Sequence, residues 1–368
     1  MIRLPAIALL VMVTVTAMAD QQFDVHLRID VESAERSIEL FRGLSGSPSM
    51  IAGLRGSQIA LATTGLLANR RLTTGDLEEA LQAAKFNQTI ADDIFRMEYG
   101  KKGVRELKEL LDALKQRNFA GKVVSTVAQL FPADTKLSTS IPMYVVAFGH
   151  QNIDAFVRRV EWKGDTPIFV GERQGELTIV VNLSKAVSYG RTLDERFIGL
   201  LSVVAHEVFH AAFGVYKDQS PAWKQYYSTR RNYLDNLLDL TQNEGIAHYL
   251  SLIQRTGGRF TNDQLPKINS AFQEFNQAAA RLRSRGISPA QAGELIRNSN
   301  SSMYWDSYGA ITGMVIARQI DQSLGREALM ETIANGPDDF YRKYTALMRR
   351  DGGLPELSPD LTALFGGR

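Results

Sequence analysis

Apolar residues recur at three- and four-residue spacing through most of residues 31 to 131, in SAERSIELFRGL, TTGDLEEALQAAKFNQTIADDIFRM and GVRELKELLDALKQRNFAGKVVSTVAQLF. That is the helical period, so the pattern predicts core-facing amphipathic helices, with a Gly- and Ser-rich break at GLSGSPS, residues 43 to 49. The texture changes at Pro132-Ala133-Asp134. IPMYVVAFG (141 to 149), TPIFVG (166 to 171) and ELTIVVNL (176 to 183) are β-branched or apolar runs bounded by Gly, Asp and Pro. They predict strands of one small sheet. The helical pattern resumes at Thr192 and runs to about Arg349, broken by TGGRF at 256 to 260, and the tail DGGLPELSPDLTALFGGR predicts a loosely ordered end. The expected fold is mainly α within the α+β class. Its divisions are a helical region over 20–135, a core with the sheet over 136–255, a second helical region over 256–350 and a tail over 351–368.

The first residues change the picture of where the chain works. MIRLPAIALLVMVTVTAMAD carries one positive charge at Arg3, an uncharged apolar stretch from Ala6 to Val15, and small residues at Ala17-Met18-Ala19. This is the pattern of a secretory signal peptide over 1–19, and the apolar run is shorter than the roughly 20 residues a membrane-crossing helix needs. The expectation is an exported chain, periplasmic or extracellular, starting at Asp20 and without an integral membrane segment after cleavage. There is no cysteine, so disulfides and thiolate ligands are excluded, and any metal must be held by His, Asp or Glu. A formal charge of +2 with no concentrated basic stripe gives no footing for a nucleic-acid partner.

Candidate chemistry lies in VVAHEVFHAAFG, residues 203 to 214, which holds two of the five histidines. Thr192 and Glu195 form a T-x-x-E capping box at the start of this helix, and Gly214 is the expected stop. At about 100° per residue, His206 and His210 lie roughly 40° apart around the helix and one turn apart along it, so both imidazoles can reach one ion. Glu207 lies about 100° from His206, poorly placed as a ligand and well placed as a general base. Two histidines and a carboxylate in an apolar helix cost several kcal/mol of desolvation, on the order of one buried polar group each, unless something compensates them. A metal ion does so more simply than two satisfied core histidines with Glu207 paired to an arginine. The H-E-x-x-H spacing is that of a zinc site in which the ion activates a water and the Glu carries its proton to the leaving amine.

Such a site needs a third protein ligand. LDNLLDLTQNEGIAHYLSLIQ, residues 234 to 254, is a second helical run, where Glu244 sits among apolar neighbours and Gly245 would let this helix approach the first closely. Asp235 and Asp239 are competing ligands on its more polar early part.

VVAHEVFHAA followed by N-E-G-I-A-H resembles the gluzincin branch of the zincin metallopeptidases. More narrowly, it is similar to a group of uncharacterised, zinc-dependent bacterial peptidases that pair HExxH with a downstream E-G-x-A segment. The likeness covers about residues 176 to 255. It implies a zincin-like core with an active-site helix and a ligand helix, one Zn2+ per chain held by His206, His210 and Glu244, and Glu207 as base. It also implies a peptide or protein substrate docked along ELTIVVNL as a sheet edge. Gluzincins carry an Asp four residues after the ligand Glu; here that position is His248, a partner to the ligands, a transition-state donor or a competing ligand. Peptide hydrolysis also needs an oxyanion donor. Tyr308, or Tyr304 before it, in SMYWDSYGAITGMVIARQI is the candidate, against plain packing at a helix start. His26 and His150 read as structural or exposed. A metal-retaining but non-catalytic binding or scaffold protein of the cell envelope is the alternative to an enzyme.

Overall fold

The computed structural model describes residues 23–366 apart from 45, 91, 153, 172–173, 231 and 301–304. The expected signal peptide and Tyr304 lie outside the described residues. The sheet has five strands: β1 (Phe23–Asp30), β2 (Leu137–Val146), β3 (Ala155–Lys163), β4 (Thr166–Phe169) and β5 (Glu176–Asn182), in the order β1-β2-β5-β3-β4. β1 pairs parallel with β2 from Phe23↔Leu137 to Asp30↔Tyr144, and β2 pairs parallel with β5. β3 runs antiparallel to both β5 and β4.

Two strands are additions to the sequence reading. β1, FDVHLRID, alternates strictly, with Phe23, Val25, Leu27 and Ile29 toward the core and Asp24, His26, Arg28 and Asp30 away from it, which is the period-two signal of a half-buried strand. β3, AFVRRVEWK, has no such alternation. Its signal is the Gly164-Asp165 turn, with Gly164 at φ +63 between the paired Lys163 and Thr166, a tight hairpin connection. This hairpin corrects one expectation: β5 is flanked on both sides, so ELTIVVNL is an interior strand, and the edges are β1 and β4.

Before the sheet closes, the chain forms α1 (Glu32–Phe41), α2 (Pro48–Gly53), α3 (Arg55–Leu67), α4 (Thr74–Lys85), α5 (Met97–Lys102), α6 (Val104–Gln116) and α7 (Phe119–Ala128). After it come α8 (Leu183–Ala186), a 3-10 turn (Val187–Tyr189), α9 (Leu193–Gln219), α10 (Pro221–Thr229), α11 (Tyr233–Thr256) and α12 (Leu265–Leu282). α13 (Pro289–Asn300), α14 (Tyr308–Leu324), α15 (Arg326–Asn335), α16 (Pro337–Asp351) and α17 (Pro359–Phe365) complete it. The mainly helical α+β class is therefore what the chain adopts. The tail is ordered further than expected: α17 buries Leu361 and Phe365, and the Phe365 ring stacks on Tyr341 at 5.3 Å.

α9 is the central helix. Its length and apolarity would suit a membrane crossing, but 56% of the relevant window is buried inside the protein, where it packs on the sheet, α7 and α11. Phe131 locks it in place, with its ring 5.1 Å from Phe23 of β1 and 5.8 Å from Phe209 of α9. The Thr192–Glu195 capping box is present at its start. Gly214 does not stop it. The glycine is exposed mid-helix with open space where a side chain would go, and the helix runs on to Ser220 and Pro221, whose ring ends it.

Candidate metal centre

α9 and α11 lie antiparallel, and a pair of reciprocal serines fixes their register. Ser251 Oγ donates to the Ser202 carbonyl at 3.2 Å, Ser202 Oγ donates to the Ser251 carbonyl at 3.5 Å, and Arg255 Nε donates to Ser202 Oγ at 3.2 Å. One turn further along, the His206 and His248 rings meet edge to face at 4.5 Å between centroids. One turn beyond that, His210 faces Asn243 and Glu244.

The nitrogen and oxygen atoms converge. His206 Nε2 and His210 Nε2 are 2.9 Å apart, and Glu244 Oε2 lies 3.3 Å from His210 Nε2 and 3.6 Å from His206 Nε2. Tetrahedral zinc with bonds of about 2.0–2.1 Å has ligand-to-ligand edges of roughly 3.3–3.4 Å, so this triangle has the size that one zinc ion requires. All three side chains are mostly buried and keep between 14% and 20% of their surface exposed. Asn243 Oδ1 accepts from His210 Nδ1 at 3.0 Å and so directs Nε2 at the centre. This residue sits inside the N-E-G segment, and sequence reasoning passed over it.

The charges fit as well. Burial lowers the pKa of His210, but the Glu244 carboxylate overrides it and brings the imidazole up to about 9. Glu244 moves the opposite way: burial resists ionisation, and the His210 and His206 rings hold the carboxyl well below its usual range. Burial first, and then repulsion from His206, keep His248 well below the ordinary histidine value and therefore neutral; its Nε2 stands 4.0 Å from Glu244 Oε2.

The competing ligands are engaged elsewhere. Asp239 pairs with the buried Lys217, whose ammonium lies 4.3 Å from the centroids of both Phe213 and Trp223. Asp235 caps its own helix through Asn232. Gly245 packs not on α9 but on α14: an added Cβ would come within 2.2 Å of the Gly313 carbonyl carbon. Tyr308 is also placed differently from expectation. Its hydroxyl donates to the Leu295 carbonyl at 2.6 Å, and Glu274 and Arg281 are the charges around it. His26 pairs with Asp24 on the surface, and His150 receives a bond from the Asn152 amide at 3.3 Å.

Glu207 makes no hydrogen bond or ion pair with a described residue. Its charge is felt by His210, by Arg158 of β3 and by Tyr189 of the 3-10 turn. Tyr189 packs on Gly199 of α9, where an added Cβ would meet the tyrosine Cβ at 2.6 Å, with the Arg255 guanidinium 5.4 Å from its ring centroid. Burial and the neighbouring Asp154 carboxylate hold its phenol far above the ordinary pKa, so it stays a donor.

A family model described as "Putative zinc dependent peptidase (DUF5700)" matches residues 54–353. No curated protein and no solved structure matches the chain.

Proposed function

This chain belongs to that family, and on that premise we propose that it is a zinc metallopeptidase of gluzincin type. His206, His210 and Glu244 are its ligands and Glu207 is its base. Membership supports a zinc-dependent peptidase function; the donor triangle, with edges of 2.9, 3.3 and 3.6 Å, is the observation that carries the assignment to these residues. Zinc held there supplies Lewis-acid activation of water and of the peptide carbonyl. Glu207 takes the proton from the attacking water and returns it to the leaving amine. With no hydrogen bond or ion pair to a described residue, both of its oxygens are available for that exchange. Asn243 orients His210, and neutral His248 packs against His206 and fixes its ring. The donor for the developing oxyanion is Tyr189 rather than Tyr308, because the Tyr308 hydroxyl is already held by Leu295 while Tyr189 shares the field of Glu207. We further propose export through cleavage after Ala19, which precedes β1 and removes no described element.

The test is hydrolysis of a mixed peptide library, followed by mass spectrometry, by zinc-loaded wild type and Glu207→Gln. The variant is expected to keep zinc and to lose at least about a hundredfold in rate. A variant as fast as wild type rejects Glu207 as base. A wild type that holds zinc and cleaves nothing rejects the peptidase reading in favour of a metal-holding scaffold.

A further inference from the structure

One charged group beside the proposed base has no task in the chemistry above. Arg158 lies on β3, opposite Thr178 of β5, and β3 packs against α9. Its guanidinium sits over the Phe156 ring, 4.1 Å from the centroid, and Nη1 donates to the Val157 carbonyl at 3.1 Å. No carboxylate among the described residues lies within ion-pair distance. Other arginines that carry such a partner include Arg55 with Asp165 and Arg326 with Asp321, while Arg158 shares its lack of one with several others and differs from them in its place near the proposed base. Arg158 keeps an exposed side chain; its packing on the protein lowers the pKa, and the carboxylate that acts against this through space is that of Glu207.

A guanidinium is a planar fork of five N–H donors that matches a carboxylate in bidentate fashion. Here one face rests on an aromatic ring, one donor is used by a carbonyl, and the rest remain available. Glu207 stands too far away to close the pair, and as proton carrier it is committed to the water and the leaving amine. An anion brought by the substrate would satisfy the fork where the protein does not.

We propose that Arg158 receives a carboxylate of the substrate and makes this a peptidase that prefers peptides carrying a negative charge close to the bond it cuts. The inference rests on the peptidase reading of the neighbouring site. The carboxylate is either the substrate's C-terminus or an Asp or Glu side chain, and the two sources give one chemistry at Arg158. In the peptidase the pair orients the substrate and takes no part in proton transfer, so Arg158 is a specificity-determining residue.

The experiment measures binding, so it does not depend on turnover. Zinc-loaded Glu207→Gln is titrated by calorimetry with short alanine-based peptides that have a free or amidated C-terminus and contain one Glu or one Gln. The same series is run on Glu207→Gln/Arg158→Gln and on Glu207→Gln/Arg158→Lys. Peptides with the relevant carboxylate are expected to bind at least about tenfold more tightly than their neutral counterparts. That preference should vanish with Arg158→Gln and return in part with Arg158→Lys. Loss on amidation alone assigns the C-terminus; loss on Glu-to-Gln exchange alone assigns an acidic side chain. Equal affinity for charged and neutral peptides overturns the proposal, as does a preference that survives Arg158→Gln. Hydrolysis by the wild-type protein is scored separately, so an inactive enzyme that still selects carboxylates would reject only the peptidase reading. Matching melting curves and zinc content for the three proteins establish that the fold is kept.

Discussion

At the scale of single residues, His210 and Glu244 make the metal site a proton site as well. In the metal-free protein His210 titrates near 9 against an ordinary 6.5. A raised value means that its stabilising contribution is complete below pH 6.5 and is lost as the pH rises through 9. The Glu244 carboxyl is held below its ordinary 4.5, so its contribution is complete above pH 4.5 and is lost on acidification through its folded value. The melting temperature of the metal-free protein should therefore fall from pH 6.5 toward 9. Zinc must displace the His210 proton, so its uptake near neutrality should release about one proton, and the zinc-loaded protein should lack the alkaline decline. Calorimetry in buffers of different ionisation enthalpy counts that proton, and a flat metal-free profile would refute the pair. Two carboxylates on one helix should separate cleanly. Glu244→Ala is expected to abolish stoichiometric zinc and, by removing the partner of His210, to lower the stability of the metal-free protein and flatten its alkaline decline. Asp239→Ala should keep zinc but cost about 3 kcal/mol in urea unfolding, because it strands the buried Lys217. Elemental mass spectrometry and urea melts on both variants check this. The convergence of His206 and His210 was legible because helical spacing alone sets their relation, and Glu244 because a lone carboxylate in an apolar run needs a reason. Asn243, Tyr189 and Arg158 gave no such signal, since their relation to the site arises only where α11, the 3-10 turn and β3 are packed against α9.

At the scale of elements, glycines divide into those that fix the site and those that do not. Gly245 and Gly313 are where α11 and α14 cross, and a Cβ on Gly313 would meet the Thr241 carbonyl oxygen at 2.0 Å and the Gly245 Cα at 2.8 Å. Backbone atoms cannot swing aside as a side-chain tip can, so the helices must separate. Gly313→Ala is expected to cost about 3 kcal/mol or more and to weaken zinc binding, because the displaced helix carries Glu244. Gly214→Ala has the opposite sign. With nothing within 4 Å of the added methyl, replacing an exposed glycine inside α9 should stabilise by roughly 0.5–1 kcal/mol. Chemical denaturation of the two variants tests both directions at once. Sequence reading took Gly214 as a terminus and Gly245 as a contact with α9. A glycine's role depends on what faces it, and only the assembled helices supply that. Capping residues are legible because their partners lie three positions away, as at Thr192 and Glu195. The place of β5 inside the sheet was not, because it depends on β3, whose RRVEWK carries charges on successive residues and hides its period.

At the scale of the molecule, the ligand helix is held from both sides, and the far side is built from the end of the chain. α11 rests on α14, α14 on α12 and α16, and α17 closes over those two. The tail's Phe365 stacks on Tyr341, which is itself stacked on Phe275 of α12 at 6.1 Å. Composition made the tail, rich in Gly and Pro, look loosely ordered. Its two anchors, Leu361 and Phe365, are one helical turn apart and become meaningful only against a surface formed by residues far earlier in the chain. The same holds at the other end, where β1 pairs with β2 across 114 positions, Asp24 facing Ser138. Both closing elements, β1 and α17, lie outside the residues 54–353 that the family model matches, so they complete the core without contributing a ligand. Removing residues 359–368 should then lower stability while leaving the metal site intact, because α17 packs mainly on α16 and α12 and faces the first turns of α11 rather than the turn that carries Glu244. Phe365→Ala alone should cost about 3 kcal/mol by opening a cavity beside Tyr341. The truncated protein is expected to melt at a lower temperature and to hold the same zinc per chain as the full-length form. Zinc lost in step with α17, at a temperature where the helical content is unchanged, would mean that the end of the chain sets the geometry of the site itself.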